Sequence, residues 1–216
     1  MKKNLTEIVF ILDRSGSMAG LENDTIGGFN AMIEKQKAEP GEAVVSTVLF
    51  DNVSEVIHDR VDIQRIEPMT NRDYYVRGCT ALLDAVGKAI HHIGNVHKYA
   101  REDDRPEKTL FVITTDGMEN ASHQYSYDKL KAMIERQREK YGWEFIFLGA
   151  NIDAAKEAAR VGIRPERAST YHADRRGTEV IYSAVSDAIC SVRRHRSIDK
   201  SWKHSVDADY KSRGKK

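Results

Sequence analysis

The chain has 216 residues, a formal charge of +1 and 40% hydrophobic residues, which suits one α/β domain with a core that needs no staples. Two cysteines, Cys79 and Cys190, are too few for a disulfide framework, so free thiols in a reducing compartment are expected. The opening Met-Lys-Lys-Asn-Leu-Thr-Glu lacks the apolar core of a signal peptide and no apolar run reaches spanning length, so a cytoplasmic chain with no membrane partner is expected.

Ile8 to Leu12 is an unbroken apolar run, the pattern of a strand buried on both faces in a parallel sheet. It runs into Asp13-Arg14-Ser15-Gly16-Ser17. Parallel sheets carry their chemistry just past the carboxyl ends of the strands. Asp13, Ser15 and Ser17 form an all-oxygen set, which suits a hard divalent cation better than zinc or copper. Arg14 reads as a solvated side chain, or as an electrostatic aid to an acidic ligand.

Residues 19–37 place Leu21, Thr25, Ile26, Phe29, Met32 and Ile33 at helical spacing. Gly27 and Gly28 inside this helix cost about 1 kcal/mol each relative to alanine, which a close approach to the sheet would explain. Pro40-Gly41 is a turn, residues 43–50 a second strand, and residues 54–63 an antiparallel edge strand hairpinned to it. Gly78-Cys79-Thr80 leads into a helix that runs to about Tyr99, with Thr80 at or next to its N-cap. Cys79 reads as a small packed residue. His91, His92 and His97 on this helix lack the spacing that would put them on one face, so no second metal site is read there.

Residues 109–117 repeat the opening pattern: a buried strand ends in Thr115-Asp116-Gly117. His123, Tyr125 and Tyr127 follow and either rim that loop or pack it. A helix over 127–141, a strand over 143–149, a short helix over 153–161, a strand over 167–172 and a helix over 177–196 continue the alternation. From Ser197 little apolar periodicity remains. Residues 197–216 are therefore read as a mobile basic tail on a domain of residues 1–196. From Arg193 onward nine Lys/Arg face three Asp. This basicity also suits a helix C-terminus, and no nucleic-acid partner is expected.

Alternating strands and helices imply a doubly wound sheet with helices on both faces and right-handed crossovers. The D-x-S-x-S run of Asp13, Ser15 and Ser17, the glycine-led Thr80 before a helix, and the T-D-G of Thr115-Asp116-Gly117 resemble the metal-ion-dependent adhesion site of von Willebrand factor type A domains, a family that includes the integrin I domains. The resemblance spans roughly residues 6–196 and implies six strands in the order 3-2-1-4-5-6, with strand 3 antiparallel. It implies that Asp13, Ser15, Ser17, Thr80 and Asp116 hold Mg2+ or Mn2+, and that a Glu or Asp of a partner protein completes the coordination. Such a module has no catalytic residues. Relatives of this kind are mostly displayed outside cells, against the cytoplasmic expectation. The alternative is a Mg2+-dependent phosphoester hydrolase on a Rossmann-like sheet. Phosphatases of that kind want a second acid where Ser15 stands, and no G-x-S-x-G, Walker A or G-x-G-x-x-G motif is present.

Overall fold

The computed structural model describes residues 1–214. Six strands form one sheet: β1 (Lys2–Asp13), β2 (Glu42–Phe50), β3 (Ser54–Asp62), β4 (Pro106–Thr115), β5 (Glu144–Ala150) and β6 (Ala168–Tyr171). Their order is 3-2-1-4-5-6. β3 runs antiparallel to β2, and the other neighbouring pairs are parallel. The helices are α1 (Glu22–Lys37), α2 (Leu82–Tyr99), α3 (Tyr127–Tyr141), α4 (Ala154–Arg160), α5 (Arg175–Arg193) and α6 (His204–Arg213). The doubly wound α/β architecture expected from the alternation is the one observed.

The strand period of two divides β1 between two cores. Ile8, Phe10 and Leu12 face α1 and α5, among Phe29, Met32, Ile181, Val185 and Ile189. Val9 and Ile11 face the other layer, among Val86, Ile90, Ile93 and Ile134. A strand buried on both faces can afford no polar alternation, which is why the run is continuous. Gly28 does mark a close approach, but to a helix and not to the sheet. A Cβ there would lie 2.4 Å from the Tyr182 ring of α5.

The chain beyond Ser197 differs from its sequence reading. Described residues of this segment pack on the domain. A short 3-10 turn, Lys200–Lys203, leads into α6, which lies against α5 and the end strand β6. Ile198 and Val206 are buried. The Trp202 indole donates to the Glu166 carbonyl at 2.9 Å, and the Tyr210 ring stacks on His172 with centroids 4.5 Å apart. Arg213 bridges Asp174 at 2.7 Å and Asp209 at 2.6 Å. Lys215 and Lys216 of the expected tail lie outside the described residues. An edge strand left open invites pairing with other chains, and this segment lies against one.

Truncation after Arg196 is expected to destabilise the domain. Loss of the buried Ile198 and Val206 alone removes about 3 kcal/mol, a fall of roughly 6–12 °C in Tm by calorimetry. A truncated chain that melts with the full chain would show the segment to be dispensable.

Candidate metal site

The parallel register of β1 and β4 pairs Leu12 with Thr114, so Asp13 and Thr115 emerge side by side at the carboxyl edge of the sheet. The Thr115 hydroxyl donates to Asp13 Oδ2 at 2.6 Å, and the Ser15 amide donates to Asp13 Oδ1 at 2.7 Å. Tyr74, fully buried in the loop after β3, donates its hydroxyl to the Asp13 carbonyl. Ser15 Oγ lies 3.0 Å from Ser17 Oγ, and Thr80 Oγ1 donates to Ser15 Oγ at 3.0 Å. Three hydroxyls from two loops therefore meet beside one carboxylate.

Asp116 comes from the third loop. It lines a cleft of about 440 Å³ together with Ser17, Asp24, Asn151 and Asp174. The adjoining Gly117 lies so close to the cluster that a Cβ there would sit 2.9 Å from Thr80 Oγ1 and 3.3 Å from Ser17 Oγ. Any side chain at 117 would push into the hydroxyls, a physical reason for glycine in the T-D-G turn.

The second and third loops are clamped to each other. The Thr80 amide donates to Asn120 Oδ1 at 2.9 Å, and the Asn120 amide returns a bond to the Thr80 carbonyl at 3.1 Å. Ala81, not Thr80, is the N-cap residue of α2, and its side chain caps nothing. The orphan amides of that helix end go to Glu119 Oε2, which accepts from Leu83, and to Ser122 Oγ, which accepts from Asp84. Asp84 in turn accepts from the amides of His123, Gln124 and Tyr125. Thr80 is thus free of capping work and its hydroxyl turns to Ser15. Tyr125 lies over Gly87, and Tyr127 lies under Arg160, 3.7 Å from the ring centre. These rings pack the loop rather than rim the cluster.

Arg14 is not a solvated residue. Its side chain is fully buried, with Nε 2.8 Å from Asp51 Oδ2 and Nη2 2.8 Å from Glu55. Arg77 reaches the same Asp51 oxygen at 2.8 Å. Asp51 also accepts from the Val53 amide, and its carbonyl accepts from the Ala81 amide. Burial pushes the Asp51 carboxyl up, but donation by Arg77, Val53 and Arg14 outweighs it and holds the carboxyl below its usual range. This clasp ties the first loop to the second. Cys79, expected to be packed, is exposed, and Cys190 is buried. His92 pairs with Asp59 and His97 with the buried Glu7, so these histidines serve separate contacts.

Burial pushes the Asp13 carboxyl up, opposed by the hydrogen bonds from Thr115 and Ser15. Asp116 is pushed up to about 6, chiefly by burial, with the Asp13 charge adding and the Asn151 amide opposing. The donor set is two carboxylates and three hydroxyls, all oxygen, which fits Mg2+ or Mn2+ in chemistry. Among the described residues, no group of three or more His, Cys, Asp or Glu side chains is placed to hold an ion. A site here relies on hydroxyls for most of its donors.

No protein-family model matches the chain, and no curated protein matches it. Solved structures do. A mussel byssus protein, proximal thread matrix protein 1 with a zinc-occupied MIDAS motif, aligns at TM-score 0.58 and 16% identity over 86% of this chain and 46% of its own. Manganese-loaded TRAP of Plasmodium vivax aligns at 0.54 and 14% identity over 83% and 73%. The vWF domain of the pilus tip protein Mfa5 of Porphyromonas gingivalis aligns at 0.60 and 11% over 85% and 94%. The chain has the von Willebrand factor A-type fold. It spans about half the length of the mussel protein, and at these identities the likeness reaches the fold alone.

Sequence reasoning passed over Tyr74, Asn120 and Asn151. No motif marks them, and each acts through a contact with a distant loop.

Arg14→Ala is expected to cost about 1.5–3 kcal/mol in urea unfolding, because it removes a hydrogen bond to a buried carboxylate that Arg77 and Val53 still partner. A cost under about 0.5 kcal/mol is the result for a solvated arginine. The raised Asp116 value gives a second expectation. A carboxyl whose folded pKa is raised stabilises the fold most when protonated, and that contribution fades as pH rises through about 6. In EDTA, Asp116→Asn should therefore melt above the unsubstituted chain at pH 7.5 and level with it near pH 4. Parallel melting curves across that range would refute the assignment.

Proposed function

We propose that this domain is a divalent-metal-dependent protein-binding module. Asp13, Ser15, Ser17, Thr80 and Asp116 are the residues proposed to hold Mg2+ or Mn2+, directly or through water. The observation that carries this reading is the meeting of Ser15, Ser17 and Thr80 hydroxyls, from two loops, at 3.0 Å beside the buried Asp13. These hydroxyls hydrogen-bond one another, and their convergence beside a carboxylate presents a set of hard oxygen donors to a cation. When bound, the ion would supply a Lewis-acidic centre with an open position for an outside oxygen.

The chain's own residues divide the remaining work. Asp13 brings the permanent charge, and Thr115 and Tyr74 keep it fixed. The serines and Thr80 offer neutral oxygens, so the charge facing a bound cation would come from Asp13 and Asp116 alone. A Glu or Asp side chain of a partner protein is the ligand that suits the open position. Two fold neighbours, one zinc-occupied and one manganese-loaded, support a divalent ion in this fold. Among the described residues Asp13 is hydrogen-bonded by the Ser15 amide and the Thr115 hydroxyl and by no lysine or histidine, and we propose no catalytic role for the module. We also propose a reducing, cytoplasmic setting, on the strength of two unpaired thiols, one of them exposed.

Mg2+ at about 100 times its Kd is expected to stabilise the domain by about 2.7 kcal/mol, read as a rise in Tm that EDTA reverses. Asp13→Ala and Thr80→Ala should abolish the rise. Binding of a candidate acidic partner should fall at least tenfold in EDTA. Equal affinity with Mg2+ and with EDTA would end this reading.

A further inference from the structure

We infer that Asn151 is a positioning residue for the Asp116 carboxylate and so sets how tightly the site takes a divalent cation, an inference that rests on the metal-binding reading above. The members of the cluster are unequally secured. Asp13 is held by the Ser15 amide, the Thr115 hydroxyl and, at its carbonyl, Tyr74. Ser15, Ser17 and Thr80 hold one another. For Asp116, Asn151 is the side chain that donates to it among the described residues, with Nδ2 2.9 Å from Oδ1.

The backbone at Asn151 is built for this reach. It follows the last residue of β5, on the strand beside β4, and its φ is +55°. That left-handed region is one that asparagine tolerates and bulkier residues avoid. Its amide donates to the Tyr171 carbonyl at the end of β6 at 3.4 Å. The residue is thus braced from β6 while its side chain crosses to the β4 loop. With Oδ1 engaged, the carboxylate cannot rotate freely, and Oδ2 is left for a cation or a cation-bound water. Side chains that orient a ligand commonly govern metal affinity as strongly as weaker ligands do.

The test is a calorimetric titration of the full chain with Mn2+ alone, comparing the unsubstituted chain, Asn151→Gly and Asp116→Ala. Glycine accepts the left-handed backbone and deletes only the amide, so the metal-free fold should be undisturbed. Asn151→Gly is expected to bind Mn2+ about tenfold more weakly, with a metal-free Tm within about 2 °C of the unsubstituted chain. Undiminished Mn2+ affinity in Asn151→Gly, alongside its loss in Asp116→Ala, overturns the inference and leaves the metal site standing. A metal-free Tm lower by more than about 5 °C makes Asn151 a structural residue and also overturns it. An unsubstituted chain that takes up no Mn2+ overturns the site and the inference together.

Discussion

The hydrogen bond from Thr115 to Asp13 is the contact on which the arrangement of the loops depends. It is a direct consequence of parallel register. Because β1 and β4 are neighbours and Leu12 lies opposite Thr114, the first and third loops leave the sheet from adjacent points. In an open α/β sheet this is the place where the connections from neighbouring strands depart to opposite faces, α1 from β1 to one and α3 from β4 to the other, opening a crevice at the strand ends. Everything polar in the cluster is brought there by the apolar strands beneath it. Ile11 and Leu12 are buried on opposite faces, and a slip of either strand by one residue would exchange the faces and separate the loops.

The fold was largely legible because buried parallel strands have a distinctive pattern. Ile8 to Leu12 and Leu110 to Ile113 could hardly be anything else, and their polar ends pointed to one edge. Asp13, Ser15, Ser17 and Thr80 were readable for the same reason: each stands next to an element with a strong periodic signal. Arg14 was misread because charge in a turn ordinarily means solvent. Its burial depends on Asp51 and Glu55, which arrive from the β2–β3 hairpin, and no local pattern announces a partner 37 residues away. Asn151 and Asn120 escaped for a related reason: an asparagine in a turn looks like turn chemistry until its amide is seen to cross to another loop.

The C-terminal segment was misread for a different reason. Ile198, Trp202, Val206 and Tyr210 are spaced by four, but Ile198 precedes the 3-10 turn, Trp202 lies in it, and Val206 and Tyr210 belong to α6. Single apolar residues separated by basic and polar ones give little helical periodicity, so the segment was read as a mobile tail. Four anchors suffice because the surface they meet, β6 and α5, is already formed. A docked helix needs a much narrower stripe than one that must organise a core around itself.

The cluster gathers two carboxylates and three hydroxyls, each with a hydrogen-bond partner, at one edge of the sheet. Elsewhere Asp84 accepts three amides and Arg193 donates to the carbonyls of Gln36, Glu39 and Gly41, although buried atoms such as Tyr182 Oη, Thr114 Oγ1 and Arg193 Nε have no partner among the described residues. At the strand ends two carboxylates sit where burial disfavours their charge, and three hydroxyls have chiefly one another for company. The clasp of Arg14, Asp51 and Arg77 and the Thr80–Asn120 pair hold the loops inward. Stability that is spent locally to keep like-charged and neutral oxygens together points to a function served by their convergence. The proposed cation would offset the charge of the two carboxylates that burial disfavours.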